Sequence, residues 1–184
     1  MRIIAGKAGR IAIKVPSAVA RPTTDFVRQA IFSILGEHIF DARVLDLFCG
    51  SGALGLEALS RGAASCYFVD EHRQAIAVTG ENLKKARLDG GFPVKSEVFS
   101  FLKRDQSIYD LILADPPYWK GYGDTDHVKA LLELPSLVER LAPTGHFIAE
   151  ISSSQPTPAS PGFKLLDRRE YGSSAILIFA HPDA

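Results

Sequence analysis

Two short segments of this 184-residue chain carry the residue types that do chemistry. The first is Asp46-Leu47-Phe48-Cys49-Gly50-Ser51-Gly52-Ala53-Leu54-Gly55. It contains Gly50-x-Gly52-x-x-Gly55 directly after an apolar run, and Asp70 lies 20 residues beyond Gly50, at the end of the next apolar run. Glycines at that spacing let the backbone approach a ligand, and an acid at the next strand end can accept from both hydroxyls of a ribose. The same turn also forms without a ligand, as a tight strand-to-helix reversal. Asp46 narrows the choice. A carboxylate at the strand end repels a pyrophosphate, which wants backbone N–H groups at a helix N-terminus, and suits a ligand with a cationic amino-acid end. Asp46 can also cap nearby backbone N–H groups, and the two roles are compatible.

The second segment, Asp115-Pro116-Pro117-Tyr118, is the more specific. Two consecutive prolines remove two N–H donors and stiffen the turn, so the preceding carbonyl and the Asp115 carboxylate become fixed, outward-facing acceptors. An exocyclic amine on a nucleobase has two N–H groups and a lone pair delocalised into the ring. Accepting both N–H groups favours a pyramidal nitrogen whose lone pair can aim at an electrophile, while Tyr118 stacks on the base. The plainer reading is a strand-ending turn capped by its own aspartate. Taken with Asp46 and Asp70, the segment points to S-adenosylmethionine (SAM), which carries a sulfonium and an ammonium and no phosphate, as donor to such an amine.

Strand and helix patterns put both segments at strand ends. Residues 44–48, 66–69, 93–98, 108–114 and 145–151 read as strands; 53–59, 73–88, 99–104 and 126–142, the last interrupted at Pro135, read as helices. Upstream, Thr23-Thr24-Asp25 is a helix start, followed by Phe26, Val27, Ala30, Ile31, Ile34 and Leu35 at helical spacing and by Gly36 as the stop. Residues 2–6 and 10–15 read as a hairpin around Gly6 and Gly9. Two β runs, 163–170 and 174–180, follow a Ser/Pro-rich stretch at 152–162 that is the best candidate for a mobile surface loop. The order predicts an α/β fold: an open, mostly parallel sheet with helices on both faces and an antiparallel strand added by the closing hairpin. Ligands of such sheets bind beyond the carboxyl ends of the strands.

Apolar residues make up 46% and charged residues 23%, with zero net charge, which argues for a globular domain and against disorder. No apolar run approaches the roughly 18 residues of a membrane span. Charges inside the N-terminal apolar stretch do not support a secretory signal. Cys49 and Cys66 alone make neither a disulfide framework nor a zinc cluster, and five scattered histidines show no ligand spacing, so no metal is expected. A cytoplasmic location fits best, and a small neutral domain of this kind is expected to be monomeric. Cys49 reads as a small turn residue rather than a nucleophile. The charge is uneven: residues 1–43 carry seven Lys/Arg against three acids, and the remainder is acidic by four. That is a pointer to a polyanionic partner, beside the plainer reading of a solvated surface.

DLFCGSG, the acid after the second strand and DPPY resemble the Rossmann-like class I SAM-dependent amino-methyltransferases. The likeness is closer still to the bacterial 16S rRNA guanine-N2 methyltransferase family (RsmD-like). It runs end to end through RIIAGKAGR, RPTTDFVRQAIFSIL, DLFCGSGALGLEALSRGA, DPPY and YGSSAILIF, with RPTTD the family-specific part. It implies a seven-stranded Rossmann-like methyltransferase domain over 23–184 and a small RNA-binding β extension over 1–22. It also implies SAM as methyl donor and a guanine exocyclic amine in 16S rRNA, naked or in an assembling 30S subunit, as acceptor. Carried over residue by residue, Asp46, Gly50 and Gly52 line the methionine end of SAM, with Phe48 as core or pocket wall. Asp70 holds the ribose, where the family more often has Glu. Glu97 and the Val98 backbone fall at the adenine, where relatives commonly have Asp or Asn. Asp115, Pro116, Pro117 and Tyr118 become the catalytic motif, and Arg2, Lys7, Arg10, Arg21 and Arg28 meet phosphates. Relatives tend to have Arg-Glu and a later Asn in the first helix, where this chain has Arg28-Gln29 and Ser33.

On this reading the amine attacks the methyl in line, and catalysis is mainly positioning and charge complementarity, with no strong base required. Trp119 and Tyr122 either clamp the flipped nucleotide or, for Trp119, pack beneath the loop. Three readings compete: an NAD-dependent oxidoreductase, which lacks an evident hydride-transfer set; a SAM enzyme acting on adenine in DNA or on a glutamine amide; and a non-catalytic RNA-binding module.

Overall fold

The computed structural model describes residues 1–17 and 23–184. Helix α1 spans Asp25–Leu35; the Thr24 hydroxyl caps it by accepting from the Val27 N–H, and Gly36, at φ 51°, ends it. A single 3-10 turn, Gly36–Ile39, leads to the alternating part: β1 Arg43–Leu47, α2 Ala53–Ser60, β2 Ser65–Asp70, α3 Arg73–Ala86, β3 Gly91–Lys95, α4 Val98–Arg104 and β4 Tyr109–Ala114. Then come α5 His127–Leu132, α6 Pro135–Arg140, β5 Leu141–Ser152, β6 Lys164–Tyr171 and β7 Ser174–Ala180.

The seven strands form one sheet in the order β3-β2-β1-β4-β5-β7-β6. The first five run parallel, and β7 inserts antiparallel between β5 and the edge strand β6. Helices cover both faces, so the central strands are apolar on both sides. Alternate residues of β4 feed opposite cores: Leu111 and Leu113 pack with α1 and α2, and Ile112 and Ala114 with α4, α5 and α6. This is the α/β architecture that the alternation of elements predicts.

Five local expectations change. Residues 2–6 and 10–15 do pair, through Ile3 N–H to the Ile11 carbonyl and Arg10 N–H to the Ile3 carbonyl, but only one antiparallel bridge, Arg2 to Ala12, forms. The chain there bends to dock on α2, burying Ile3, Ala8 and Ile13. The strand expected over 93–98 lies at Gly91–Lys95, because the Glu97 carboxylate accepts from the Phe99 and Ser100 N–H groups and starts α4 at Val98. β5 begins at Leu141 rather than 145. Phe26, placed by periodicity with the apolar face of α1, is 67% exposed, since the buried face runs through Val27, Ile31 and Leu35. The 152–162 stretch is fastened: the Arg168 guanidinium donates to the Ser153 and Gln155 carbonyls and to Thr157 Oγ1.

Candidate active site

The two chemical segments meet. β1 and β4 are hydrogen-bonded neighbours with Leu47 paired to Ala114, so Phe48 and Asp115 leave the sheet side by side. Asp70 ends β2, the neighbour of β1 on its other side. At these ends lies a cavity of about 670 Å³ whose lining includes Asp46, Phe48, Gly50 and Asp70, then Glu97, Val98 and Phe99, and Asp115–Tyr118. That volume is in the range of small-molecule sites.

Backbone conformation explains the turn. Phe48, Gly50 and Gly52 all have positive φ, at 57°, 54° and 77°. Gly50 lines the cavity; Gly52 does not, and a Cβ there would meet the Thr79 side chain at 2.9 Å. Gly52 therefore serves the turn and its packing, a correction to its expected place against a ligand. Gly55 serves packing too, because a Cβ would sit 2.3 Å from the Phe68 ring and 2.5 Å from Cys66 Sγ. The turn is tied to both acids. Asp46 Oδ2 accepts from Gly55 N–H at 2.9 Å, and Asp70 Oδ2 accepts from Gly50 N–H at 3.0 Å. Asp70 Oδ1 also accepts from the His72 N–H at 2.9 Å.

Asp46 is 1% exposed. Burial pushes its carboxyl up to about 7; the Gly55 hydrogen bond opposes the rise and the charge of Asp70 adds to it. Cys49, buried in the same lining, has its thiol pushed well up by burial and by Asp46 and Asp70, the reverse of what a nucleophile needs. Among the described residues the lining holds five carboxylate side chains (Asp46, Asp70, Glu71, Glu97, Asp115) and one ammonium side chain, Lys120. Such a cavity disfavours a pyrophosphate and suits a cation.

The Pro-Pro turn is held from three directions. Thr23 Oγ1 donates to Asp115 Oδ2 across 92 residues of sequence. The Tyr118 hydroxyl donates to Glu150 Oε1 on β5 and lies 2.7 Å from Ser174 Oγ on β7. Burial and the Glu150 bond push the Tyr118 phenol above its ordinary value, so it stays a neutral ring. Trp119 is half-buried and lines a small cleft with Asp126, Glu150 and Gln155, and Tyr122 projects fully into solvent.

Of the expected basic contacts, Arg2, Lys7 and Arg10 are exposed and outside the cavity lining. Arg21 lies outside the described residues. Arg28 is corrected: its side chain is fully buried, with Nη2 on Asp25 Oδ1 at 2.6 Å and on the Arg2 carbonyl at 2.7 Å, and Nη1 3.8 Å from Glu57. It braces α1 against α2 and the N-terminal segment and offers nothing to a phosphate. Met1, Thr23, Phe99, Lys120 and His127 also line the cavity, and sequence reasoning does not find them there. Only Thr23 carries a signal, as part of the RPTTD segment.

The family model described as Conserved hypothetical protein 95 matches residues 1–180. YlbH of Bacillus subtilis (strain 168), whose name assigns it provisionally as an rRNA methyltransferase, is 36% identical over 97% of this chain and 98% of its own. Ribosomal RNA small subunit methyltransferase D of Escherichia coli (strain K12) is 38% identical over 66% of this chain and 62% of its own. The solved structure of yhhF from Escherichia coli superposes with a TM-score of 0.82 at 29% identity, covering 100% of this chain and 99% of that one. With its fold shared with a solved relative and a family-model match over residues 1–180, the chain belongs to the Conserved hypothetical protein 95 family, the family of ribosomal RNA small subunit methyltransferase D.

Proposed function

We infer that this protein is a SAM-dependent rRNA methyltransferase, and we propose that its acceptor is the exocyclic N2 amine of a guanine in 16S rRNA, naked or in an assembling 30S subunit. The observation that carries the reading is the shared cavity: a buried carboxylate at the end of β1 faces the Asp115-Pro116-Pro117-Tyr118 turn at the end of the adjacent β4.

The residues fit the donor. Asp46 is buried with no cationic side chain paired to it among the described residues, and a ligand ammonium or sulfonium supplies the positive charge that would keep it ionised. Asp70 and the Gly50 backbone stand where a ribose would be held, and Val98 and Phe99 give an apolar wall for a purine. Glu97 reaches this wall with both carboxylate oxygens committed to the α4 N–H groups, so the backbone at Val98 is the better contact for an adenine. When bound, SAM supplies an electrophilic methyl group. Asp115 and the carbonyl before Pro116 accept the two N–H groups of the target amine, freeing its lone pair to point across the cavity. Pro116 and Pro117 hold those acceptors still, and Tyr118 offers a ring face to the base. The alkylated nitrogen is acidic and yields its proton to water. A neutral base enters an acidic cavity without penalty, while phosphates stay at the rim, where Arg2, Lys7 and Arg10 are exposed. Residues 1–22 would then act as the RNA-contacting extension of a catalytic unit over 23–184, working as a monomer in the cytoplasm.

The test is transfer of tritiated methyl from SAM to 16S rRNA and to 30S particles from cells lacking the protein, followed by nucleoside analysis. Label in N2-methylguanosine is expected. Label in a methylated adenosine, or in ribosomal protein alone, would replace the guanine reading.

A further inference from the structure

Outside the cavity lining, close in sequence to residues that hold the Pro-Pro turn, stands an aromatic pair that neither the catalytic motif nor the donor site uses. Phe26, on the first turn of α1, is 67% exposed, which is unusual for a ring on a helix whose other large apolar residues are buried or half-buried. Its ring neighbour is Tyr171, at the end of β6, with centroids 5.7 Å apart and planes at 80°. Tyr171 is half-buried against the core and backs the pair, while the exposed Phe26 ring keeps aromatic surface open to a further ring.

Two chain connections place this pair at the catalytic end. Phe26 follows Thr23, whose hydroxyl holds Asp115, by three residues; Tyr171 precedes Ser174, which contacts the Tyr118 hydroxyl, by three residues. Three residues span at most about 11 Å, so each ring lies within nucleotide reach of the turn that receives the target base. An exposed cation stands close by: Arg2 Nε is 3.8 Å from Asp25, the residue before Phe26, and its side chain is 65% accessible. An open aromatic face beside an accessible guanidinium is what single-stranded nucleic acid binds, by base stacking and phosphate pairing.

Resting on the proposed function, we propose that Phe26 and Tyr171 form a stacking platform for an unpaired RNA base flanking the methylated nucleotide. The occupant is RNA rather than a ribosomal protein because the platform adjoins the base-receiving turn and the positively charged N-terminal segment, where a polyanion is the complementary partner.

The experiment compares wild type with Phe26→Ala and Tyr171→Ala by steady-state methylation of 30S particles across a salt series, with SAM affinity and thermal midpoint as controls. KM for the particle should rise at least about fivefold, the loss of one stacked base. The slope of binding against salt should stay unchanged, because no phosphate contact is removed. Phe26→Trp, which keeps a stacking face, should retain wild-type KM. In parallel, p-benzoylphenylalanine at position 26 should crosslink to 16S rRNA when irradiated with the particle. A KM unchanged in both alanine variants, or a crosslink to ribosomal protein only, overturns the platform. Absence of methyl transfer by the wild type would instead overturn the underlying function, so the two failures are distinct.

Discussion

Asp46 sits where its charge is penalised, and this gives it a measurable signature. Its carboxyl titrates near 7 in the folded chain because it is buried, with Asp70 adding to the rise. The unfolded chain releases that proton near about 4, so the native state binds more protons between about 4 and 7, and ligand-free stability falls as pH rises through that window. Asp46→Asn should flatten the fall, as read from thermal midpoints between pH 4 and pH 8. If the ionised form pairs with the donor's cationic end, wild-type affinity for SAM should drop about tenfold per unit below pH 7. Asp46→Asn should bind weakly at every pH, a contrast that calorimetry can read. Asp115 acts on the other substrate. Asp115→Ala should keep SAM affinity and lose roughly 100-fold or more in turnover, the scale of removing a group aimed at a reacting centre.

Helix α2 is the element on which the most depends. Its first residues close the glycine turn, and Gly55 brings it onto β2 at a distance no side chain tolerates. Gly55→Ala should cost about 1–3 kcal/mol of stability, the usual penalty for overpacking, and should lower SAM affinity as the turn shifts; urea melts measure the first and titration the second. The same helix carries Glu57, fully buried, which accepts from the Ile4 and Ala5 N–H groups and from Arg61 Nε while Arg28 stands beside it. This network couples α1, α2 and the N-terminal segment. Removing Arg28 leaves an incompletely paired buried charge, so Arg28→Ala should destabilise the fold by about 3 kcal/mol, seen as a lower denaturation midpoint, and not merely weaken RNA binding.

Across the whole molecule, charge is sorted by role. The cavity is acidic, matching a cationic donor and admitting a neutral base, and exposed Arg2, Lys7 and Arg10 lie on the N-terminal segment outside it. Replacing these three together should weaken binding to rRNA and shallow its dependence on log salt by about 0.9 for each phosphate left unneutralised, with stability nearly unchanged. Filter binding at several salt concentrations checks this, and an unaltered slope would move the docking face elsewhere. The contrast with Phe26, whose removal leaves the slope alone, and with buried Arg28, whose removal lowers stability, separates base stacking, phosphate pairing and internal bracing.

Local pattern alone is enough to announce the alternating α/β order, the strand ends bearing Asp46, Asp70 and Asp115, and the Thr24 cap, because each is written in a few adjacent residues. The chemistry of the site follows from those strand ends, since parallel strands must deliver their carboxyl ends to one side. What the linear pattern does not decide is contact across long separations. Periodicity sets Phe26 with the core face of α1, yet the buried side of the helix runs through Val27, Arg28, Ile31, Phe32 and Leu35. A basic residue in a basic stretch reads as a phosphate ligand at Arg28, but burial against Glu57 claims it. Glu97 reads as part of a strand, but its carboxylate closes on the N–H groups of α4. Thr23 on Asp115, and Glu150 with Ser174 on Tyr118, join residues that only the folded sheet brings within a hydrogen bond. Residue types decide which interactions are available; their partners are chosen by packing, which acts through space and leaves little trace along the chain.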